Sequence, residues 1–264
     1  MKQNLNILLA ITLFLLVSIA GAKEKWQSPA FILNAFLEVA LKNEYGPDDN
    51  RIKKWQSPIR IWIDHQVGER KLHTELLEWH VEHLAEITGH SIEFVDNPEQ
   101  ANLTFIYTRF ENMQRIVRQK LSQQIGNNAE TVLFSTLCLA QVRTGNNNQI
   151  YQARIIIPAD QARMHGKLVS CIVEEMTQIM GLVNDSDEAY PSIFNDRTPD
   201  ELLSGLDYLL LKILYDSKIT PGMHKDQVKI IAEDIISTLI SNGEVEQASR
   251  KVRSGKLYEL MGYR

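Results

Sequence analysis

Glu174-Glu175-Met176-Thr177-Gln178-Ile179-Met180-Gly181-Leu182-Val183-Asn184-Asp185 is the stretch that decides how this chain is read. It closes a segment, His165 to Met180, that reads as a helix. Residues four apart on a helix share a face, so Glu174 and Gln178 project together. The adjacent Glu175 points ~100° away from Glu174. Gly181 supplies the residue that ends such a helix. Asn184 and Asp185 follow in a polar turn.

The donor atoms of Glu174, Gln178, Asn184, Asp185 and Asp187 are oxygens. Oxygen donors suit a hard cation such as Ca²⁺ or Mg²⁺ and hold zinc poorly. A divalent metal is therefore the cofactor this stretch admits, and zinc is not favoured. The same residues are also ordinary content for a turn after a helix. Glu175 is either a general base or a buried acid that caps a turn or pairs with an arginine such as Arg154 or Arg197. If Glu174 and Glu175 are both buried, each raises the other's pKa and the two could share a proton.

Upstream, Val132 to Arg143 and Gln149 to Ile157 flank Thr144-Gly145-Asn146-Asn147-Asn148 and read as a hairpin. Ile59 to Asp64, Ser91 to Val95 and Asn102 to Thr108 read as further strands. A long helix spans Glu69 to Thr88 and ends at Gly89. Residues 30–44 and Asn112 to Gln124 also read as helical. Downstream, Pro199 to Tyr215, Gln227 to Ile240 and Glu244 to Leu260 read as helices. The order defines an α+β fold with a mixed twisted sheet, a long helix bearing Glu174 and Glu175, and C-terminal helices.

The 174–184 spacing resembles H-E-x-x-H-x-x-G-x-x-H of the metzincin zinc proteases, written here as EExxQxxGxxN. Glu174, Gln178 and Asn184 stand where that family has its three histidines. Glu175 stands at the general-base position and Gly181 at the turn glycine. Tyr190-Pro191-Ser192-Ile193-Phe194-Asn195 looks like the Met-turn beneath the metal, with Phe194 in the place of the methionine. Ser204 to Tyr215 looks like the last metzincin helix, and the hairpin would supply the edge strand along the substrate cleft. The resemblance implies a zincin-like fold without its zinc ligands. A closer resemblance is to an uncharacterised family of proteobacterial secreted proteins and lipoproteins, a domain of unknown function. It rests on Glu174 to Gln178, Gly181-Leu182, Asn184-Asp185-Ser186, Pro191 to Asp196 and Pro221-Gly222-Met223.

Met1-Lys2, the apolar run Leu5 to Ile19 and Ala20-Gly21-Ala22 read as a signal peptide cleaved after Ala22. An uncleaved anchor is the alternative. The chain is expected to divide into a signal peptide (1–22), an N-terminal helical and linker segment (23–58), the metzincin-like domain (59–223) and a C-terminal helical appendage (224–264). Secretion to the periplasm or the exterior follows, with no other membrane segment. In an oxidising compartment Cys138 and Cys171, the two cysteines, are expected to bridge; two buried free thiols are the alternative. The net charge of −5 and the lack of a basic cluster give no electrostatic case for nucleic acid.

His73, His80, His83 and His90 invite a transition-metal reading. Glu75, Glu78, Glu82 and Glu86 are interleaved with them, so a solvated helix face is the plainer expectation. Ser170, Ser192 and Ser204 lack a nucleophile elbow. The apolar stripe of Gln227 to Ile240 either packs on the domain or receives a partner. Taken together, the sequence points to a secreted pseudo-protease that binds a peptide, a glycan strand or an envelope partner. The alternative is a peptidase-like metallohydrolase with oxygen ligands and Glu175 as base.

Overall fold

The computed structural model describes residues 24–44, 47–121, 133, 136–199 and 201–263. The expected signal peptide and its cleavage point lie outside them, as does part of the segment expected as helix and strand between 112 and 138. Among the described residues no helix is long and apolar enough to cross a membrane.

Helix α1 (Pro29–Leu41) begins where the Ser28 hydroxyl accepts the Phe31 N–H at 3.4 Å and Pro29 presets the first turn. β1 (Lys54–Trp55) and β2 (Ile59–His65) follow. Helix α2 (Arg70–Thr88) is closed by Gly89, whose φ of 68° lets its N–H return to Ala85. β3 (Ile92–Phe94) and β4 (Leu103–Thr108) come next. Helix α3 (Phe110–Ile116) precedes the hairpin of β5 (Leu139–Thr144) and β6 (Gln149–Pro158).

Among the described residues these strands form one sheet in the order β1-β6-β4-β2-β3, with β5 paired to β6. Every pairing is parallel except β5 with β6. The sheet is mixed, as expected, and largely parallel, and with its helices it makes a mixed α/β fold. Parallel neighbours cannot be joined by a tight turn, and α2 makes the crossover from β2 to β3.

Register divides the sheet's side chains between two faces. Phe105 pairs with Ile155 and Ile106 with Ile156. Phe105 and Ile155 belong to the main core, whereas Ile106 and Ile156 pack with Met113, Val117 and Leu139 in a smaller cluster. One-residue alternation thus buries both faces, as a parallel sheet requires.

After β6 the chain forms α4 (Ala159–Met164) and α5 (Leu168–Gln178). The single helix expected from His165 begins three residues later, after Gly166 at φ 68°. Helix α6 (Gly205–Tyr215) starts at Gly205 rather than Pro199, because Ser204 caps it through the Leu206 and Asp207 N–H groups. Helices α7 (Lys225–Ser241), α8 (Glu244–Val252) and α9 (Lys256–Leu260) complete the fold. The single helix expected over Glu244–Leu260 is broken before Gly255, where a Cβ would run into the ring of His83.

Residues 23–58 and 224–264 were expected as flanking segments, yet their described parts share the main core. Ile32, Phe36 and Val39 of α1 and Val228, Ala232 and Ile235 of α7 all belong to it.

The solvated-face expectation for α2 is corrected. His73, His80 and His83 are buried beside Leu76, Leu77 and Leu84. His80 Nε2 lies 3.1 Å from Thr177 Oγ1 on α5. His73 stacks on Tyr107 with ring centres 4.6 Å apart. The histidines are the inner face and the glutamates between them the outer one. Burial lowers the pKa of His80 to about 3 and of His83 to about 4, so both are neutral at neutral pH.

Candidate functional site

The end of α5 is fixed from three sides. Trp55 Nε1 donates to Ile179 O at 2.7 Å and the Tyr215 hydroxyl to Met180 O at 3.0 Å. Gly181, at φ 118°, passes directly under the Lys53 carbonyl. These contacts occupy carbonyls that a helix C-terminus leaves unpaired. They also set the direction in which Glu174, Glu175 and Gln178 face.

Those three side chains and Asp185 line one pocket of about 610 Å³. One wall is the segment Thr136 to Ala140, which enters edge strand β5. Ile193, Asn195, Asp196 and Glu44 also line the pocket. Gln178 Nε2 donates to Glu44 Oε2 at 3.0 Å. Glu175 accepts the Ala140 N–H, which ties the helix to the edge strand. The pairing considered with Arg154 or Arg197 does not form: Arg197 binds Asp187 at 2.9 Å.

Asn184 is not brought into the pocket. Its amide donates to Glu38 O at 3.2 Å and Asp185 O at 2.8 Å, facing α1. Asp185 takes the place beside Glu174, and its Oδ1 is buried without a hydrogen-bond partner. Glu44 and Asp196 are site residues that sequence reasoning missed. Glu44 lies far upstream, just beyond α1, and no local motif marks it. Asp196 directly follows the turn 190–195 and was passed over as part of it.

The pocket is crowded with carboxylates, and burial dominates their titration. It raises Glu174 to about 8, with Asp185, Glu44 and Asp196 adding to the shift. It raises Asp185 to about 7, helped by Glu44 and Asp196. It raises Glu175 as well, reinforced by Glu174, Glu44 and Asp185 and opposed by the Ala140 N–H. A raised carboxyl favours the fold below its unfolded pKa and loses that contribution as pH rises through the folded value. A histidine lowered by burial acts oppositely, destabilising the fold as pH falls below 6.5. Urea melts across pH are therefore expected to peak near pH 6, falling toward pH 9 and toward pH 4. A Glu174→Gln/Asp185→Asn variant is expected to lose much of the alkaline fall.

The turn under the pocket is held by one buried carboxylate. Asp207 Oδ1 accepts the Ser192 hydroxyl at 2.5 Å, and Oδ2 accepts the Ile193 N–H at 3.1 Å and the Ser204 N–H at 2.6 Å. Ser192 Oγ in turn accepts the Phe194 N–H at 3.1 Å. Phe194 is fully buried in the main core. Asn195 Nδ2 donates to Ser186 O at 2.9 Å, joining the turn to the segment that carries Asp185. Asp207 was not singled out from the sequence, although Ser204-x-x-Asp207 has the capping-box spacing that could have marked it.

Cys138 and Cys171 are bridged, with Cα atoms 5.9 Å apart. The bond joins the entry to β5 with α5, and both cysteines line the pocket. Its removal by Cys171→Ser is expected to cost about 3–4 kcal/mol in the chain-entropy picture, given a sequence separation of 33. Chemical denaturation of the oxidised protein and the variant would measure that loss.

Fold and site together define a mixed α/β domain with an acidic pocket between the antiparallel strand β5 and the end of a buried helix. A family model described as Protein of unknown function (DUF2927) matches residues 29–234, and the chain belongs to that family. The match includes every residue of the pocket. It reaches beyond the expected 59–223 to take in α1 and part of α7. No curated protein matches the chain.

Proposed function

We propose that this chain is a secreted, metzincin-like binding module that has no hydrolytic activity. It takes an extended peptide along β5, with a basic side chain seated in the acidic pocket. The observation that carries the reading is the gathering of Glu44, Glu174, Glu175, Asp185 and Asp196 around one pocket at a sheet edge.

Several features support the class. The hairpin delivers an antiparallel edge strand beside the helix, as the metzincin resemblance implies. Gly181 ends that helix, and the 190–195 turn runs under the pocket. The pocket beside β5 offers carboxylates to a basic side chain of such a peptide. Glu175 is buried and engaged with the Ala140 N–H, which leaves its carboxylate poorly placed to take a proton from a water. The disulfide is compatible with the periplasm or the exterior.

Affinity for a lysine-containing peptide is expected to rise from pH 6 to pH 8.5, as Asp185 and Glu174 ionise through about 7 and about 8. It is expected to fall about tenfold in Glu174→Gln/Asp185→Asn, the loss of a desolvated charge pair. Fluorescence anisotropy of a labelled peptide measures both. Affinity indifferent to pH and to the variant would overturn the assignment.

One observation favours the metallohydrolase reading. A buried acceptor such as Asp185 Oδ1, without a donor, is what a cation would satisfy. Among the described residues, however, no three His, Cys, Asp or Glu side chains are arranged to hold one ion. Gln178, moreover, is engaged with Glu44. The donor set does not fit a closed metal site, and we derive no metal-dependent step. Stoichiometric Ca²⁺ or Mg²⁺ binding lost in Asp185→Asn, with peptide hydrolysis lost in Glu175→Gln, would establish that reading instead.

A further inference from the structure

A second groove, lined in part by Tyr190 and Pro191, shares no lining residue with the acidic pocket. Two adjoining hollows of about 250 and 460 Å³ have Glu24, Trp26, Tyr190 and Pro191 as their common wall. Phe31, Tyr258 and Tyr263 complete the lining aromatics. The chain is 8% aromatic, so five aromatic residues around one groove are a local concentration. Much of the groove lies outside the family match of 29–234: Glu24, Trp26, Arg253, Tyr258 and Tyr263 are contributed by this chain's own flanks.

Part of the groove is fixed. Trp26 Nε1 donates to Glu24 Oε2 at 2.8 Å, and the Tyr258 hydroxyl donates to Leu203 O. The Tyr258 and Tyr263 rings meet edge to face, 5.9 Å apart. The remainder is open. Tyr190 is 52% exposed and Tyr263 41% exposed. Among the described residues Arg253 enters no ion pair, although it stands at the groove.

We propose that this groove binds a neutral saccharide. Exposed tyrosine rings offer flat apolar faces to the C–H side of a sugar ring, with a polar tip at the edge. The charge around the groove is balanced. Asp187 is occupied by Arg197, which leaves Glu24 and Glu188 against Lys25 and Arg253. A balanced rim gives no net attraction to an ion, yet its carboxylates and guanidinium supply acceptors and donors for hydroxyl groups. None of the sheet's strands contributes to the groove, so it offers no edge for an added peptide strand.

The test is calorimetric titration of the full chain with chitotetraose, cellotetraose and maltotetraose. At least one is expected to bind saturably. That binding is expected to weaken about tenfold in each of Tyr190→Ala and Tyr263→Ala, the loss of one ring contact. It should be unchanged in Glu174→Gln, which alters the other pocket. Tyr263 is exposed, so its variant keeps the fold, and an unchanged circular dichroism spectrum checks this. No saturable binding of any of the three would overturn the proposal. So would binding that is lost in Glu174→Gln and kept in both tyrosine variants.

Discussion

Asp207→Ala is expected to cost about 4–5 kcal/mol of stability, since it strips a buried carboxylate from several donors at once. The side chain is fully buried and holds the Ser192 hydroxyl, the Ile193 N–H and the Ser204 N–H. Those donors serve two structures, the turn beneath the pocket and the first turn of α6. Alanine leaves all of them unpaired and leaves a void where the carboxylate stood. An asparagine side chain keeps one acceptor oxygen, so Asp207→Asn is expected to lose roughly half as much. Because Asn195 and Asp196 of the same turn face the pocket, ligand affinity should fall together with stability. Urea melts of the two variants test the ordering, and equal loss in both would show that the acceptor count is not what matters.

Gly181→Ala is expected to destabilise by at least about 3–4 kcal/mol, the sum of an unfavourable backbone conformation and a hard contact. Gly181 sits at φ 118°, a region that L residues rarely adopt. Its α-carbon passes so near the Lys53 carbonyl that an added Cβ would overlap the oxygen, and Leu214 would stand only 3.2 Å away. The oxygen belongs to backbone next to β1 and cannot rotate aside. Relief therefore requires the end of α5 to move, which would carry Glu174 and Gln178 with it. By contrast, Gly89→Ala meets no neighbouring atom within 4 Å and bears only its φ of 68°. It is expected to cost about 1 kcal/mol. Thermal melts of the pair separate steric from conformational cost. A Gly181→Ala protein that melts like Gly89→Ala would contradict the close approach.

Much of the fold could be read from periodicity and punctuation. The hairpin was marked by the turn residues Thr144 to Asn148 and by alternation in the arm after them, and α2 by its apolar stripe and Gly89. What misled was the inner face of α2. Histidine carries a polar label, but His73, His80 and His83 lie at helical spacing with Leu76, Leu77 and Leu84. A neutral imidazole can be buried in such a stripe, and the interleaved glutamates merely mark the opposite face. The mixed sheet was expected, but not how far parallel pairing dominates it, since strand direction follows from where crossovers pack and not from any local pattern.

The pocket was half legible. Glu174 and Gln178 followed from helix geometry, Glu175 from its position in the motif, and Asp185 from its closeness in sequence. Asn184 was placed by motif alignment, yet the chain after Gly181 turns its amide toward α1. Glu44 reaches the pocket from the end of α1, a meeting that depends on how α1 packs against α6 and α7. Asp196 lay next to a recognised turn whose tertiary role was not visible.

The central claim is that the acidic pocket binds and does not cut. The most direct measurement is to incubate the purified protein with a labelled lysine-containing peptide at pH 8, measure the anisotropy, and then weigh the same peptide by mass spectrometry. The expected result is saturable binding that is weakened in Glu174→Gln/Asp185→Asn, with the peptide recovered intact. A cleaved peptide whose hydrolysis stops in Glu175→Gln, or a peptide that never binds, would contradict the account.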